Sequence, residues 1–346
     1  MAQKVFVFDP TASDQLSQVR GVGRYLQILK ENCSDWIFTD DLKQISSESI
    51  FINPFFNFGN TPLLTTKIAH QQIAIIHDLI PLKYPGHFPL GLKGKLNVYL
   101  NKLALKNYDL VITDSQTSKT DIVKMLKIDT NKVKVIYPCL PGAFTGNKKL
   151  ETRNKQAPNN KDSMLNTKYC IYVGDATWNK NLVNIAIAVK SANVNCVFVG
   201  RVFLGQYDRT RTNPWLNELN QLLDLAKGDP RFVFPGFVSD QELVQLYKNA
   251  RCNVLVSRDE GFGFSYLEAS NYSIPSVLAD VSILRETAQD TALFANPNDS
   301  QDIANKITQL FTNEELNKTL GQEAKERTRF FSAINFRQQF DDALNL

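Results

Sequence analysis

No apolar run in this chain of 346 residues approaches the ~20 residues that a membrane-spanning helix needs, which argues against a helical anchor. No leader is expected from the first residues either. Met1-Ala-Gln-Lys-Val-Phe-Val-Phe-Asp9 enters a strand-like apolar stretch directly, without a basic segment, a hydrophobic segment and a cleavage site in order. A cytoplasmic location is the expectation. Cysteine is sparse: Cys33, Cys139, Cys170, Cys196 and Cys252 are odd in number, scattered and without a C-x-x-C. That pattern disfavours both a disulfide framework and a zinc knuckle and predicts reduced, buried thiols. Histidine is sparser still, at His70, His77 and His87.

What is present is globular composition, 43% hydrophobic and 21% charged, in a chain long enough for two domains of ordinary size. The net charge of +4 is unevenly placed. Residues 1–150 carry 18 Lys and Arg against 12 Asp and Glu, and the remainder 21 against 23, so the first half is the basic one. Phosphate groups or an anionic membrane surface would be attracted there, whereas a pI of 8.6 falls short of the ~9 of a dedicated nucleic-acid domain. No nucleic-acid partner is expected.

Short apolar runs alternate with stretches of helical period, the mark of βα units on a parallel sheet. One series holds Val5–Phe8, Ile73–Ile76, Leu110–Thr113 and Val133–Tyr137. A second holds Tyr169–Val173, Cys196–Val199, Phe232–Phe234, Cys252–Val256 and Ser276–Leu278. The polar, apolar-poor stretch 144–168 between them reads as a linker. The expected division is a first domain of residues 1–143 with 330–346, and a second of 169–329, each Rossmann-like. Leu316, Leu320, Phe330, Phe331, Ile334, Phe336 and Phe340 are candidate buried positions of the closing helices, with Ser332 as an N-cap.

The strongest local signal is Ser257-Arg-Asp-Glu-Gly-Phe-Gly-Phe-Ser-Tyr-Leu-Glu-Ala269, which leaves an apolar strand and opens into an apparent helix. Gly261 and Gly263 let backbone approach a ligand, and the first amides of the helix, near Ser265 and Tyr266, are available to a pyrophosphate. Glu260 before the turn and Glu268 inside the helix could both face that ligand, one carboxylate reading a sugar and the other a ribose. Taken alone, an E-x7-E is more simply a glycine-rich βα turn with two solvated glutamates. Its neighbours decide otherwise.

Glu260 to Glu268, with Gly261, Phe262, Gly263, Phe264, Ser265 and Tyr266 between, resembles the E-x7-E motif of retaining GT-B glycosyltransferases of the large family 4 type. Tyr172-Val-Gly-Asp-Ala-Thr-Trp-Asn-Lys-Asn181 resembles that family's entry to its second domain, where a lysine at the position of Lys180, followed here by Asn181, binds donor phosphate. Gly236-Phe237-Val238 resembles the segment beside the base. Arg20-Gly-Val-Gly23-Arg-Tyr25 resembles its glycine loop, and Ile76-His77-Asp78 the histidine after a central strand.

The resemblance implies an α/β protein of the GT-B fold, two Rossmann-like domains facing a central cleft, with a C-terminal helix returning to the first. It implies a hexose-type sugar moved with retention from a nucleoside-diphosphate donor, UDP- or GDP-linked, to a hydroxyl acceptor, without a metal or other cofactor. Glu260 would hold the transferred sugar, Glu268 the ribose, Lys180 the diphosphate and His77 the sugar near the reacting carbon. Independently, the chain contains no Asp-x-Asp triplet, which disfavours a divalent-metal clamp on the diphosphate. One position departs: Asp175 stands where the family commonly has a phosphate-binding arginine. Arg201, after the strand ending at Gly200, or Arg258 could supply that cation, and Arg201 is preferred because its strand faces the same cleft edge.

The lysines from Lys93 to Lys134 read first as a solvated face, and second as a surface for anionic membrane. A dinucleotide-binding reading of Gly21-Val-Gly23 fails because Leu26 stands where the third glycine belongs. A sugar-nucleotide isomerase or phosphorylase, and a non-catalytic nucleotide-sugar-binding subunit, remain the alternatives.

Overall fold

The structure is a computed structural model and describes residues 3–12, 21–146, 167–204 and 214–346. It divides into two compact units, Met1–Pro141 with Phe331–Leu346, and Gly142–Phe330. Among the described residues no helix is long and apolar enough to cross a membrane.

Unit 1 is a six-stranded sheet of β1 (Val5–Phe8), β2 (Ile37–Thr39), β3 (Ile50–Asn53), β4 (Gln71–Ile75), β5 (Leu110–Thr113) and β6 (Val133–Val135). The order is β2-β1-β3-β4-β5-β6 and every pairing is parallel. Strands β3 and β5 are buried throughout and apolar up to their last residues, Asn53 and Thr113, as suits strands covered on both faces. Its helices are α1 (Gly21–Asn32), α2 (Ile80–Lys83), α3 (Gly91–Ala104) and α4 (Gln116–Leu126), with a closing helix described below.

Unit 2 begins with α5 (Gly142–Thr145) and carries β7 (Tyr169–Val173), α6 (Leu182–Ala192), β8 (Asn195–Val199), α7 (Asn217–Ala226), β9 (Phe232–Gly236) and α8 (Asp240–Asn249). It continues with β10 (Cys252–Leu255), α9 (Phe264–Ser270), β11 (Ser276–Ala279), α10 (Ser282–Ala288), β12 (Leu293–Ala295), α11 (Ser300–Thr312) and α12 (Glu314–Thr328). Its parallel strands run β12-β11-β10-β7-β8-β9. Counted from β7, the chain builds outward through β8 and β9, then returns to add β10, β11 and β12 on the other side. In such a doubly wound sheet the crossovers diverge between β7 and β10, and a crevice opens at the carboxyl ends of those two strands.

The closing helix, α13 (Ala333–Leu344), belongs to unit 1. Ser332 caps it by accepting the Asn335 amide, and it buries Phe336, Phe340 and Leu344. Trp36 meets Phe340 edge-on at 5.3 Å. Two candidate core residues of this region are instead exposed, Ile334 at 81% and Phe330 at 46%. The expected linker lies outside the described residues from 147 to 166, but its first residue is no linker. Phe144 is buried in α5, and its carbonyl accepts from Asn271 Nδ2 at 2.8 Å and Tyr272 Oη at 2.7 Å. All five cysteines are buried and free, and burial pushes the Cys33 and Cys139 thiols up to about 12.

Candidate active site

The segments that the sequence marks are gathered at the carboxyl edge of the unit 2 sheet, after β7, β8, β9 and β10. After β7 the chain turns through a single 3-10 turn, Trp178–Lys180, and enters α6 at Asn181. Asn181 takes the left-handed conformation, φ +61°, which asparagine tolerates better than most side chains. Its amide donates to the carbonyls of Val256 at 2.9 Å and Pro297 at 2.7 Å. Fully buried, Asn181 pins the β7 turn to the end of β10.

Two more bonds stitch the same two segments, and a third holds the second segment's own turn. Arg258 N donates to the Asn179 carbonyl at 2.7 Å, Asn179 Nδ2 to the Asp259 carbonyl at 3.0 Å, and Asp259 Oδ1 accepts from Glu260 N at 2.9 Å. The result fixes Lys180 against Glu260: Nζ lies 2.7 Å from Oε1 and 2.9 Å from Oε2. Ser257 Oγ donates to the same Oε1 at 2.6 Å. The Glu260 side chain is 9% exposed and that of Lys180 20%. The ammonium and the carboxylate that the sequence assigned to opposite ends of a donor thus form one partly buried pair at the switch of strand order.

Arg258 is accounted for within the protein. Its guanidinium donates to Glu218 Oε1 on α7 at 2.9 Å and to the Trp178 carbonyl, and lies 5.0 Å from the centre of the Trp178 ring. Glu218 Oε2 accepts the Val183 amide at the start of α6. Of the two arginines considered for the donor phosphates, Arg258 is therefore a scaffold cation, whereas Arg201 is exposed at the end of β8. Asp175 caps its own turn, accepting the Ala176 amide at 2.9 Å. The β7 and β8 ends approach so closely that a Cβ on Gly200 would stand 2.2 Å from the Gly174 carbonyl oxygen.

At the next turn Gly263 adopts φ +101°, which calls for glycine, and a Cβ there would also press on the end of the Leu284 side chain at 2.9 Å. Phe262 is buried against Phe264, centroids 5.3 Å apart. The Tyr266 amide is not available to a ligand, because it donates to the Gly263 carbonyl at 3.1 Å, and its buried hydroxyl pairs with Thr291. The amides of Phe264 and Ser265 remain without an intrahelical acceptor, as at any helix start. Ser265 Oγ is buried and has no hydrogen-bond partner among the described residues. Glu268, 3% exposed, accepts from Tyr247 Oη of α8 at 2.9 Å. Gly236 (φ +77°) gives its carbonyl to Gly200 N at 3.1 Å, Val238 is half-buried and Phe237 is 52% exposed.

In unit 1, Gly21 and Gly23 are not a loop: they form the first turn of α1. His77 lies two residues beyond the end of β4, and both ring nitrogens are engaged, Nδ1 with Asp114 Oδ2 at 2.7 Å and Nε2 with the Pro54 carbonyl at 3.2 Å. Two acceptors satisfy a ring only if both nitrogens carry protons. Burial opposes that charge, yet Asp114, Asp78 and the Pro54 carbonyl outweigh it and raise the His77 pKa above 6.5. Tyr25, edge-on at 4.7 Å, stays neutral because burial lifts its phenol well above 10. A histidine whose pKa rises on folding stabilises the fold below about pH 6.5, and that contribution disappears as pH climbs through the raised value. The melting temperature of the wild type should accordingly fall over that interval relative to Asp114→Asn, in which the anion is gone; parallel pH profiles for the two proteins would refute the pairing.

Comparison with known proteins follows the same lines. Across 99% of this chain the fold matches the Anabaena protein HepE, solved in complex with UDP-glucose, with a TM-score of 0.70, 18% identity and the whole of that chain covered. Sucrose-phosphate synthase from Thermosynechococcus elongatus matches with a TM-score of 0.68 and 16% identity, over 99% of this chain and 98% of that one. The fold is therefore GT-B. In sequence, O-antigen chain mannosyltransferase RfbU of Salmonella typhimurium is 28% identical over 251 residues, 70% of this chain and 63% of that protein. Serotype-specific mannosyltransferase WbdA of Escherichia coli is 23% identical over 85% of this chain and 36% of its own length. The chain thus spans less than two thirds of either relative. Residues 153–327, half of the chain and most of unit 2 with its Lys180 and Glu260, match the family described as Glycosyl transferases group 1, and the chain belongs to that family.

Proposed function

We propose that this protein is a retaining, metal-independent hexosyltransferase that moves a sugar from a nucleoside diphosphate to a hydroxyl acceptor in glycan assembly. The observation that carries the reading is the Lys180–Glu260 pair at the switch of strand order in unit 2. A donor diphosphate drawn to that crevice meets the ammonium of Lys180 and the helix start at Phe264 and Ser265, and sugar hydroxyls find an acceptor in Glu260. Glu268 reads the ribose. Negative charge developing on the leaving diphosphate is stabilised by Lys180 and the amides, and the diphosphate itself takes the proton of the acceptor hydroxyl. The mannosyltransferase relatives make mannose the first sugar to test, and the UDP-glucose complex of HepE makes UDP the first nucleotide.

Thermal shift with UDP, GDP and ADP and their sugar conjugates checks the reading. A ligand at about 100 times its Kd stabilises by about 2.7 kcal/mol, which raises the melting temperature measurably. No shift with any of them would overturn it. With Asp175 capping its own turn and Arg258 held by Glu218, Arg201 is the cation for the second phosphate. Arg201→Ala should weaken diphosphate binding about tenfold or more and Asp175→Ala should not; equal, small effects would remove Arg201 from the site.

A further inference from the structure

The charges at the switch of strand order in unit 2 largely cancel. Lys180 gives its ammonium to both oxygens of Glu260, Arg258 is held by Glu218, and Asp259 is buried with Oδ1 on the Glu260 amide. What remains at the ends of β7 and β8 is one carboxylate, Asp175, and one guanidinium, Arg201, both exposed. The Gly174 amide donates to the Val199 carbonyl at 3.0 Å, and Gly200 packs against the Gly174 carbonyl. The two residues that follow those glycines therefore stand on neighbouring strand ends. Among the described residues no ion pair joins Asp175 to Arg201 or ties either of them to a third group.

Asp175 is held in place from both sides. Tyr172, fully buried, donates from Oη to the Asp175 carbonyl at 2.5 Å, and Asp175 Oδ1 accepts the Ala176 amide at 2.9 Å. Burial first, and then the charges of Glu260, Asp175 and Glu218, push the Tyr172 phenol well above 10, so three carboxylates converge on that hydroxyl. An anion entering over the ends of β7 and β8 meets two cations, Lys180 and Arg201, and two carboxylates, Glu260 and Asp175. With those charges balanced, each further negative charge on the ligand adds repulsion that nothing at the site offsets. A nucleoside-diphosphate sugar carries one charge on each phosphate. Once the sugar has left, and the proton taken from the acceptor hydroxyl has passed to water, the outer phosphate has a second ionisation near pH 6. At pH 8 the sugar-free nucleotide thus carries about one negative charge more than the donor did.

We propose that Asp175 discriminates by charge between the intact donor and the nucleoside diphosphate left after transfer, weakening the second so that it leaves the crevice. The assignment rests on the donor site proposed above. The test is calorimetric titration of the full chain at pH 8 with UDP, UDP-glucose and the β-methyl ester of UDP, which has the donor's charge without its sugar. The guanosine series takes their place if GDP gives the larger thermal shift. Asp175→Asn keeps an oxygen for the Ala176 amide and removes the charge. It should tighten UDP about tenfold, but the methyl ester and UDP-glucose only about threefold, and should lower the inhibition constant of UDP in a transfer assay by about the same tenfold. Asp175→Glu, which retains an anion, should leave UDP affinity within about twofold of the wild type. Because the side chain is exposed, an unchanged thermal unfolding curve certifies the fold of both variants. Equal tightening of UDP and its methyl ester in Asp175→Asn, tightening of neither, or the same gain in Asp175→Glu would overturn the proposal and leave the proposed activity standing. A wild type that binds no nucleotide would overturn both.

Discussion

Glu260→Gln should lower sugar transfer by about two to three orders of magnitude while binding the bare nucleoside diphosphate as tightly as the wild type or more so. Both oxygens of Glu260 lie on the Lys180 ammonium, so in the unliganded protein each charge neutralises the other. A carboxamide is uncharged and removes both the partner of Lys180 and the repulsion that a diphosphate would meet. The ammonium then meets phosphate without that carboxylate charge beside it. What the substitution takes away is the anionic acceptor for sugar hydroxyls, which matters as the sugar gains positive character in the transition state. Lys180→Ala reverses the pattern, weakening diphosphate binding at least about tenfold as well as slowing transfer. Calorimetric titration with the diphosphate, beside a transfer assay with the donor that gives the largest thermal shift, separates the two effects. If diphosphate affinity fell equally in both variants, the pair would be a structural clamp, and the non-catalytic alternative would regain its place.

The path from sequence to this site was open where chemistry is written in single residues and closed where it depends on the chain's geometry. Strands such as Leu110–Thr113 and Cys252–Leu255 announce themselves because a parallel strand buried on both faces is mostly apolar, with single polar residues such as Thr113 and Asn253. Strands β2, β3 and β12 were missed: β2 and β12 are three-residue strands at the sheet edges, only partly buried, so no apolar run has to mark them, whereas nothing in the burial of β3 explains its omission. Lys180 and Glu260 were legible from their motifs, but their contact was not, because 80 residues separate them and strand order alone brings them together. Asn181 carried a usable signal, an asparagine between a turn and an apolar helix, which suits a left-handed residue. Glu218 carried none. The glycine pair at Gly21 and Gly23 misled, since glycine permits a loop without requiring one, and here it begins a helix.

The scaffold pair behind the site sets the second large effect. Glu218→Ala and Arg258→Ala should each destabilise unit 2 by about 3 kcal/mol, the low end of the range for splitting a buried ion pair, because the Arg258 side chain is 19% exposed and Glu218 only 9%. Either loss strands a charge. Glu218 without arginine keeps only the Val183 amide as a described donor, and Arg258 without glutamate keeps the Trp178 carbonyl and ring. Since each single substitution already breaks the same interaction, the double variant should lose less than the sum of the two. Arg258→Lys should not rescue, because a point-charge ammonium cannot lie flat on Trp178 while donating to two acceptors in the guanidinium fork. Urea unfolding of the variants, read on the transition of unit 2, measures the cost, and diphosphate titration of the same proteins measures its consequence for Lys180. The turn that carries Lys180 is tied down on one side by Arg258, so affinity should fall together with stability. A loss of affinity in Arg258→Ala with stability intact would reverse the assignment and make Arg258, not Arg201, the cation that answers for the aspartate at position 175.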